Sequence, residues 1–159
     1  MSAAEVAAFL AEERTVTCAT VGPTGRPHLM PLWYVVRDQT DGARESRLWA
    51  WTYGVSQKVR NLERDPRATL QVEAGETYGE LRGVMLECDV VIHRDLGTVA
   101  PLGAAVLLRN SAPRGEEPPG ELPSEALDVV AAQAVKRVAL EFVERRMATW
   151  DHRKLGGGY

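Results

Sequence analysis

From Leu48 to Tyr53 the chain reads LWAWTY, with Trp49, Trp51 and Tyr53 alternating with Leu48, Ala50 and Thr52. A period of two marks a strand with two unlike faces. The strand breaks at Gly54 and a helix begins at once: Ser56 is a natural N-cap, and Val55, Val59 and Leu62 recur at helical spacing. A helix that starts this way aims free backbone N–H groups at whatever lies in front of it. Lys58, in its first turn, has the wrong sign for the helix dipole unless an anion sits there too.

The rest of the chain supplies more strands. Ser2 and Glu5 form a capping box, which predicts a first helix over Ala3 to Glu13. TVTCATVG, from Thr15 to Gly22, alternates as a strand; PTGRP turns, and His28 to Val36 returns as a second strand. Pro31 inside that run marks an edge strand or a bulge. Arg37 to Ser46 reads as a hairpin loop leading into the aromatic strand. After the short helix, Pro66 to Ala74 and Glu80 to Arg94 are further strands, the second with Gly83 as an expected bulge.

Asp95 to Arg109 is apolar and helical, Ser124 is expected to cap a helix to about Val135, and KRVALEFVERRMATW closes as a last strand. Residues 1–159 are read as one domain, and the Pro/Gly-rich stretch 110–123 as a flexible insertion. About six strands joined mostly as neighbours predict a mainly β fold, a closed antiparallel barrel with peripheral helices.

Composition narrows the function classes. A formal net charge of −3 argues against nucleic acid as the main partner, because phosphate backbones need a concentrated basic face. No apolar run approaches the roughly 20 residues that span a bilayer. The acidic, amphipathic start MSAAEVAAFLAEE is unlike a secretory signal, and the expected location is the cytoplasm. Cys18 and Cys88 lie in strand-like apolar runs and are read as reduced core residues. His28, His93 and His152 lack metal-ligand spacing, and no metal is expected. No G-x-S-x-G, Cys/His arrangement or carboxylate pair suggests covalent or acid–base catalysis. His28, in the strand before the aromatic one, is the histidine best placed for handling a proton.

Taken together, TVGPTGRPHLMPLWYV, LWAWTYGVSQKVRNLERDPRATLQVE, the long strand with Gly83 and the closing ATWDHRKLGGGY resemble the split-barrel flavin proteins related to pyridoxamine 5′-phosphate oxidase. Within that group the flavin/deazaflavin oxidoreductases are the nearest likeness. The resemblance implies an FMN-binding split barrel of antiparallel Greek-key type, with FMN or the deazaflavin coenzyme F-420 as cofactor. It also implies that Ser56, Gln57 and Lys58 face the cofactor phosphate, while Trp51, Thr52 and Trp33 border the groove beside the ring. Trp33 and Trp51 either stack near the planar cofactor or fill the barrel. Arg60 either reaches the cofactor tail or lies on the surface.

The implied assembly is a homodimer with the groove between two chains and Glu80 to Arg94 at the interface. The implied activity is hydride transfer to a small planar acceptor, the alternative being a non-catalytic flavin- or haem-binding carrier. No catalytic side chain is assigned. The true pyridoxamine phosphate oxidases are longer and end in a different Arg-containing motif, so oxidation of vitamin B6 is not expected.

Overall fold

The alternating runs form six antiparallel strands: β1 (Thr15–Val21), β2 (Pro27–Arg37), β3 (Arg47–Tyr53), β4 (Arg67–Ala74), β5 (Arg82–His93) and β6 (Arg137–Asp151). This computed structural model describes residues 1–37, 47–113, 116 and 118–156. From position 38 onward, the hairpin loop expected over Arg37 to Ser46 lies outside the described residues. The strands close in the order β1-β2-β3-β6-β5-β4, with β4 pairing back onto β1. Inward positions at every second residue fill the interior, among them Val16, Cys18, Tyr34, Ala50, Leu70 and Phe142. Both cysteines are free and buried, and burial pushes each thiol up to about 12.

The barrel wall is parted at one place. β2 pairs with β1 from Pro27 to Trp33 but with β3 only from Tyr34 to Arg37. On β3, Trp51 to Tyr53 pair with β6 alone. The two strands therefore separate between Trp33 and Trp51, and among the described residues the first half of β2 pairs on one side only. Pro31 lies in that half, where an edge strand tolerates the missing N–H.

Helices close the ends and cover one flank. The helix α1 (Ala3–Glu12) starts with the expected Ser2–Glu5 capping box and buries Val6, Phe9 and Leu10. It is tied to the wall by the Tyr34 hydroxyl, which donates to the Leu10 carbonyl at 2.8 Å. At the opposite end, α2 (Gln57–Arg64) buries Val59 and Leu62. The helices α3 (Leu96–Arg109) and α4 (Ser124–Ala134) complete the set. α3 lays Val99, Leu102 and Val106 on the outer face of β2, β3 and β6, against Val35 and Ala139.

Several sequence expectations are corrected. Gly83 is not a bulge: it pairs regularly between Glu73 and Trp150, and the Trp150 indole occupies the space a side chain there would need. The ladder slips instead between Glu87 and Cys88. Ser124 is the first residue of α4 and does not cap it, since Pro123 stands at the N-cap. Val55, read as part of the buried helix face, precedes α2 and is 77% exposed.

Gly103 gives a test of how α3 is seated, because the Trp51 ring lies where its Cβ would be. Gly→Ala in a helix interior ordinarily stabilises by about 1 kcal/mol. Here overpacking is expected to reverse the sign, so that Gly103→Ala loses about 1–3 kcal/mol in urea unfolding.

Candidate functional site

The short helix α2 is pinned across its end of the barrel at two points. Lys58 Nζ donates to Thr52 Oγ1 of β3 at 2.9 Å, and Asn61 Nδ2 donates to Thr20 Oγ1 of β1 at 3.0 Å. Both hydroxyls point into the barrel, and Asn61 is fully buried. Gln57 Nε2 adds a bond to Asn61 Oδ1 at 2.9 Å. Arg64 reaches the Val21 carbonyl at the end of β1. In the sheet β2 lies between β1 and β3, so α2 runs under the start of β2, where the wall is parted.

This places an unusual set of groups at one point. Lys58 is not the solvated residue that its place in a first turn suggests; it is 7% exposed. Burial pushes its pKa down, and the nearby Arg137 cation pushes the same way. An ammonium has three protons to donate, and Thr52 takes one. Ser56 occupies the N-cap position but makes no capping bond, and its buried Oγ has no partner among the described residues. With the free N–H groups of the first helical turn beside them, these donors suit an anion.

Lys58 and Thr52 are therefore brought together, with Ser56 at the start of the same helix and Gln57 engaged by Asn61. The tryptophans are not inside the barrel. Trp51 is on the outer face, its ring against Gly103 of α3 and under the Arg137 guanidinium at 4.2 Å. Trp33 is also on the outer face, 52% exposed at the point where β2 leaves β3. Arg60 is exposed on α2, away from the Lys58–Thr52 contact. The inward side of the open half of β2 carries His28 and Met30, and the buried Nδ1 of His28 has no partner among the described residues.

The other histidines are occupied structurally. His93 stacks on Trp49 and meets Glu141 at 2.9 Å, while His152 Nδ1 lies 2.9 Å from the Tyr78 carbonyl. A separate concavity of about 440 Å³ lies along β1, β4 and β5, but its arginines are already paired, Arg67 with Asp65 and Arg145 with Asp89.

Sequence reasoning missed Thr20, Asn61 and Arg137. The i, i+4 spacing of Gln57 and Asn61 is a usable signal for one of them. Nothing local in the sequence brings Thr20 or Arg137 to α2.

The profile of the family described as pyridoxamine 5′-phosphate oxidase matches residues 2–139. The chain belongs to that family. Among solved structures it is similar to a conserved hypothetical protein from Mycobacterium tuberculosis, at 38% identity, covering 100% of this chain and 90% of that one with a TM-score of 0.83. It shares its fold with an F-420 reductase at 18% identity, covering 89% of this chain and 94% of that one, TM-score 0.62. It shares it equally with HutZ, the haem storage protein from Vibrio cholerae, at 16% identity, covering 94% and 93%, TM-score 0.65. No match is found among curated proteins. This fold is thus shared by a protein named as a reductase and by one named as a haem storage protein. Among the described residues no helix is long and apolar enough to cross a membrane, and no cluster of three or more His, Cys, Asp or Glu could hold a metal ion.

The buried Lys58 has a measurable signature. Because its folded pKa is lowered, the unfolded chain holds this proton to higher pH than the folded one, and stability rises with pH across that interval. The Lys58→Met variant lacks this linkage. Urea unfolding of ligand-free protein from about pH 8 to about pH 10.5 is expected to move the stability difference in favour of the wild type.

Proposed function

We propose that this protein is an oxidoreductase that holds a flavin-type cofactor, coenzyme F-420 or FMN, in the parted wall between β2 and β3. The cofactor phosphate sits at the start of α2, and hydride passes between the reduced cofactor and a small planar acceptor. The observation that carries this reading is the unpartnered, buried Ser56 hydroxyl beside the buried Lys58 ammonium at a helix N-terminus. Those donors fit a phosphate group, for which backbone dipole and ammonium act together.

When bound, the cofactor ring supplies the hydride chemistry, and the chain's own residues bind, orient and exclude water. Lys58 provides the counter-charge, held in direction by Thr52. The Gln57–Asn61–Thr20 chain fixes the helix that presents Ser56 and Lys58. Met30 and Trp33 border the open side, at 41% and 52% exposure. Trp51 shapes the wall from behind through α3, and Arg60 stands ready for the outer part of the cofactor. The lack of an acid–base set among the described residues suits hydride transfer by an oriented ring. It suits a non-catalytic flavin or haem carrier as well, which is the second reading.

The half-paired β2, with Leu29 and Trp33 exposed, supports a homodimer in which a second copy covers the cleft and β5 joins the interface. The free, buried Cys18 and Cys88 agree with a cytoplasmic protein. Light scattering at micromolar concentration is expected to give twice the chain mass; a monomer mass throughout would rule out the shared groove.

The functional reading is tested by titration followed by turnover. Lys58→Met is expected to weaken cofactor binding about 10- to 150-fold, the equivalent of roughly 1.5–3 kcal/mol for a charge-assisted bond, with the fold retained. Wild-type protein loaded with reduced FMN or reduced F-420 is then given quinone, enone and tetrapyrrole acceptors. Oxidation of one cofactor faster than the acceptor-free control supports the enzyme. Tight binding with no acceleration for either leaves the carrier reading in its place.

A further inference from the structure

We propose that Arg137 is the second cation of the phosphate-binding end of this site, acting with Lys58 from the opposite face of β3 and favouring a doubly charged phosphate monoester. The inference rests on the reading above and adds a residue to it that no motif in the chain indicates.

Arg137 opens β6 directly opposite Tyr53, three residues before Ser56. Its position against the β3–α2 turn is fixed by the Gly54 N–H, which donates to the Lys136 carbonyl at 3.0 Å. The guanidinium is clamped between two rings, 4.2 Å from the Trp51 centroid and 4.1 Å from that of Tyr53. Nη2 donates to Gln133 at 3.1 Å, and the buried Nε has no partner. A guanidinium held between aromatic faces has lost its side-chain freedom already, so it presents a fixed fork to an anion.

The charge pattern points the same way. Arg47, Arg67, Arg82, Arg94, Arg145 and Arg153 each face a carboxylate. Other cations also lack a described carboxylate, but Arg64 and Arg109 donate to backbone carbonyls and Arg60 is exposed, whereas Lys58 is buried with Thr52 alone and Arg137 keeps an idle buried Nε. Two cations therefore stand near the positive end of a helix without a counter-ion, in a chain whose formal net charge is −3. Their mutual repulsion contributes to the lowered pKa of Lys58. A single anion between them relieves that repulsion and satisfies the idle donors. Of the first three helical residues only Lys58 is a cation, since Gln57 is neutral and bonded to Asn61 and the exposed Arg60 follows Val59. Three positive elements, Lys58, Arg137 and the helix end, match a dianion better than a singly charged diester. Trp51 then acts as a positioning residue: α3 holds its ring through Gly103, and the ring holds Arg137.

The test compares FMN, which ends in a phosphate monoester, with riboflavin, which lacks it. Fluorescence titrations are run on the wild type, Arg137→Gln and Arg137→Lys, with the thermal protection given by inorganic phosphate as a second readout. Arg137→Gln is expected to lower FMN affinity about 10-fold or more while riboflavin affinity stays level, and Arg137→Lys to restore part of the loss. The salt dependence of FMN binding is expected to flatten in Arg137→Gln. An unchanged FMN-to-riboflavin ratio, or a parallel loss of both with a lower Tm, overturns the proposal and leaves the cofactor reading standing. If the wild type binds neither FMN nor F-420, that wider reading fails, and inorganic phosphate decides on Arg137 alone. Protection abolished by Arg137→Gln supports the anion site, and protection retained overturns it.

Discussion

A lysine ammonium set against a threonine hydroxyl inside the mouth of a barrel is the contact on which the site depends. Burying a charge without a partner is costly, and Lys58 meets Thr52 but no described carboxylate. The cost is tolerable because Asn61 anchors the same helix at Thr20, so α2 cannot swing out to hydrate the ammonium. Apolar burial of Val59 and Leu62 supplies the driving force that holds both pins in place. What results is a helix end with donors in hand and nowhere within the chain to spend them.

The parted wall follows from the same arrangement. β3 runs three residues past its last pair with β2, diverging with β6 through Trp51 to Tyr53 before it turns into α2, so among the described residues the open half of β2 has no partner strand on that side. The helix that ends the strand is thus also the floor of the cleft beside it. α3 braces the structure from outside, where the absent side chain of Gly103 leaves room for Trp51.

The strands were legible because inward residues alternate over much of the wall, as Val16, Cys18 and Thr20 do in β1 and Leu48, Ala50 and Thr52 in β3, and the barrel followed from short connections between neighbours. Ser56 and Lys58 were legible because a helix start is a local event, written in adjacent residues. The depth of Lys58 was not, since burial depends on Thr52 and on the barrel mouth into which the side chain folds. Gly83 misled for a related reason: a glycine in a strand signals either a bulge or a close neighbour, and Trp150, 67 positions away, decides which. Arg137 was invisible because only the β3–β6 register sets it beside Tyr53. Trp33 and Trp51 share the outer face, yet one is exposed and the other covered, and only the placement of α3 separates them.

Pro31 carries a consequence for how the protein behaves in a crowded solution. A strand with one free side is a template for pairing with any other extended chain, the usual beginning of edge-to-edge aggregation. Here the exposed stretch from Pro27 to Trp33 is apolar enough to invite it, with Leu29 and Trp33 more than half exposed. Proline removes a donor from the middle of that stretch, so a foreign strand laid along it cannot complete a regular ladder. The edge stays open to a partner that recognises side chains, while indiscriminate polymerisation through the backbone is blocked.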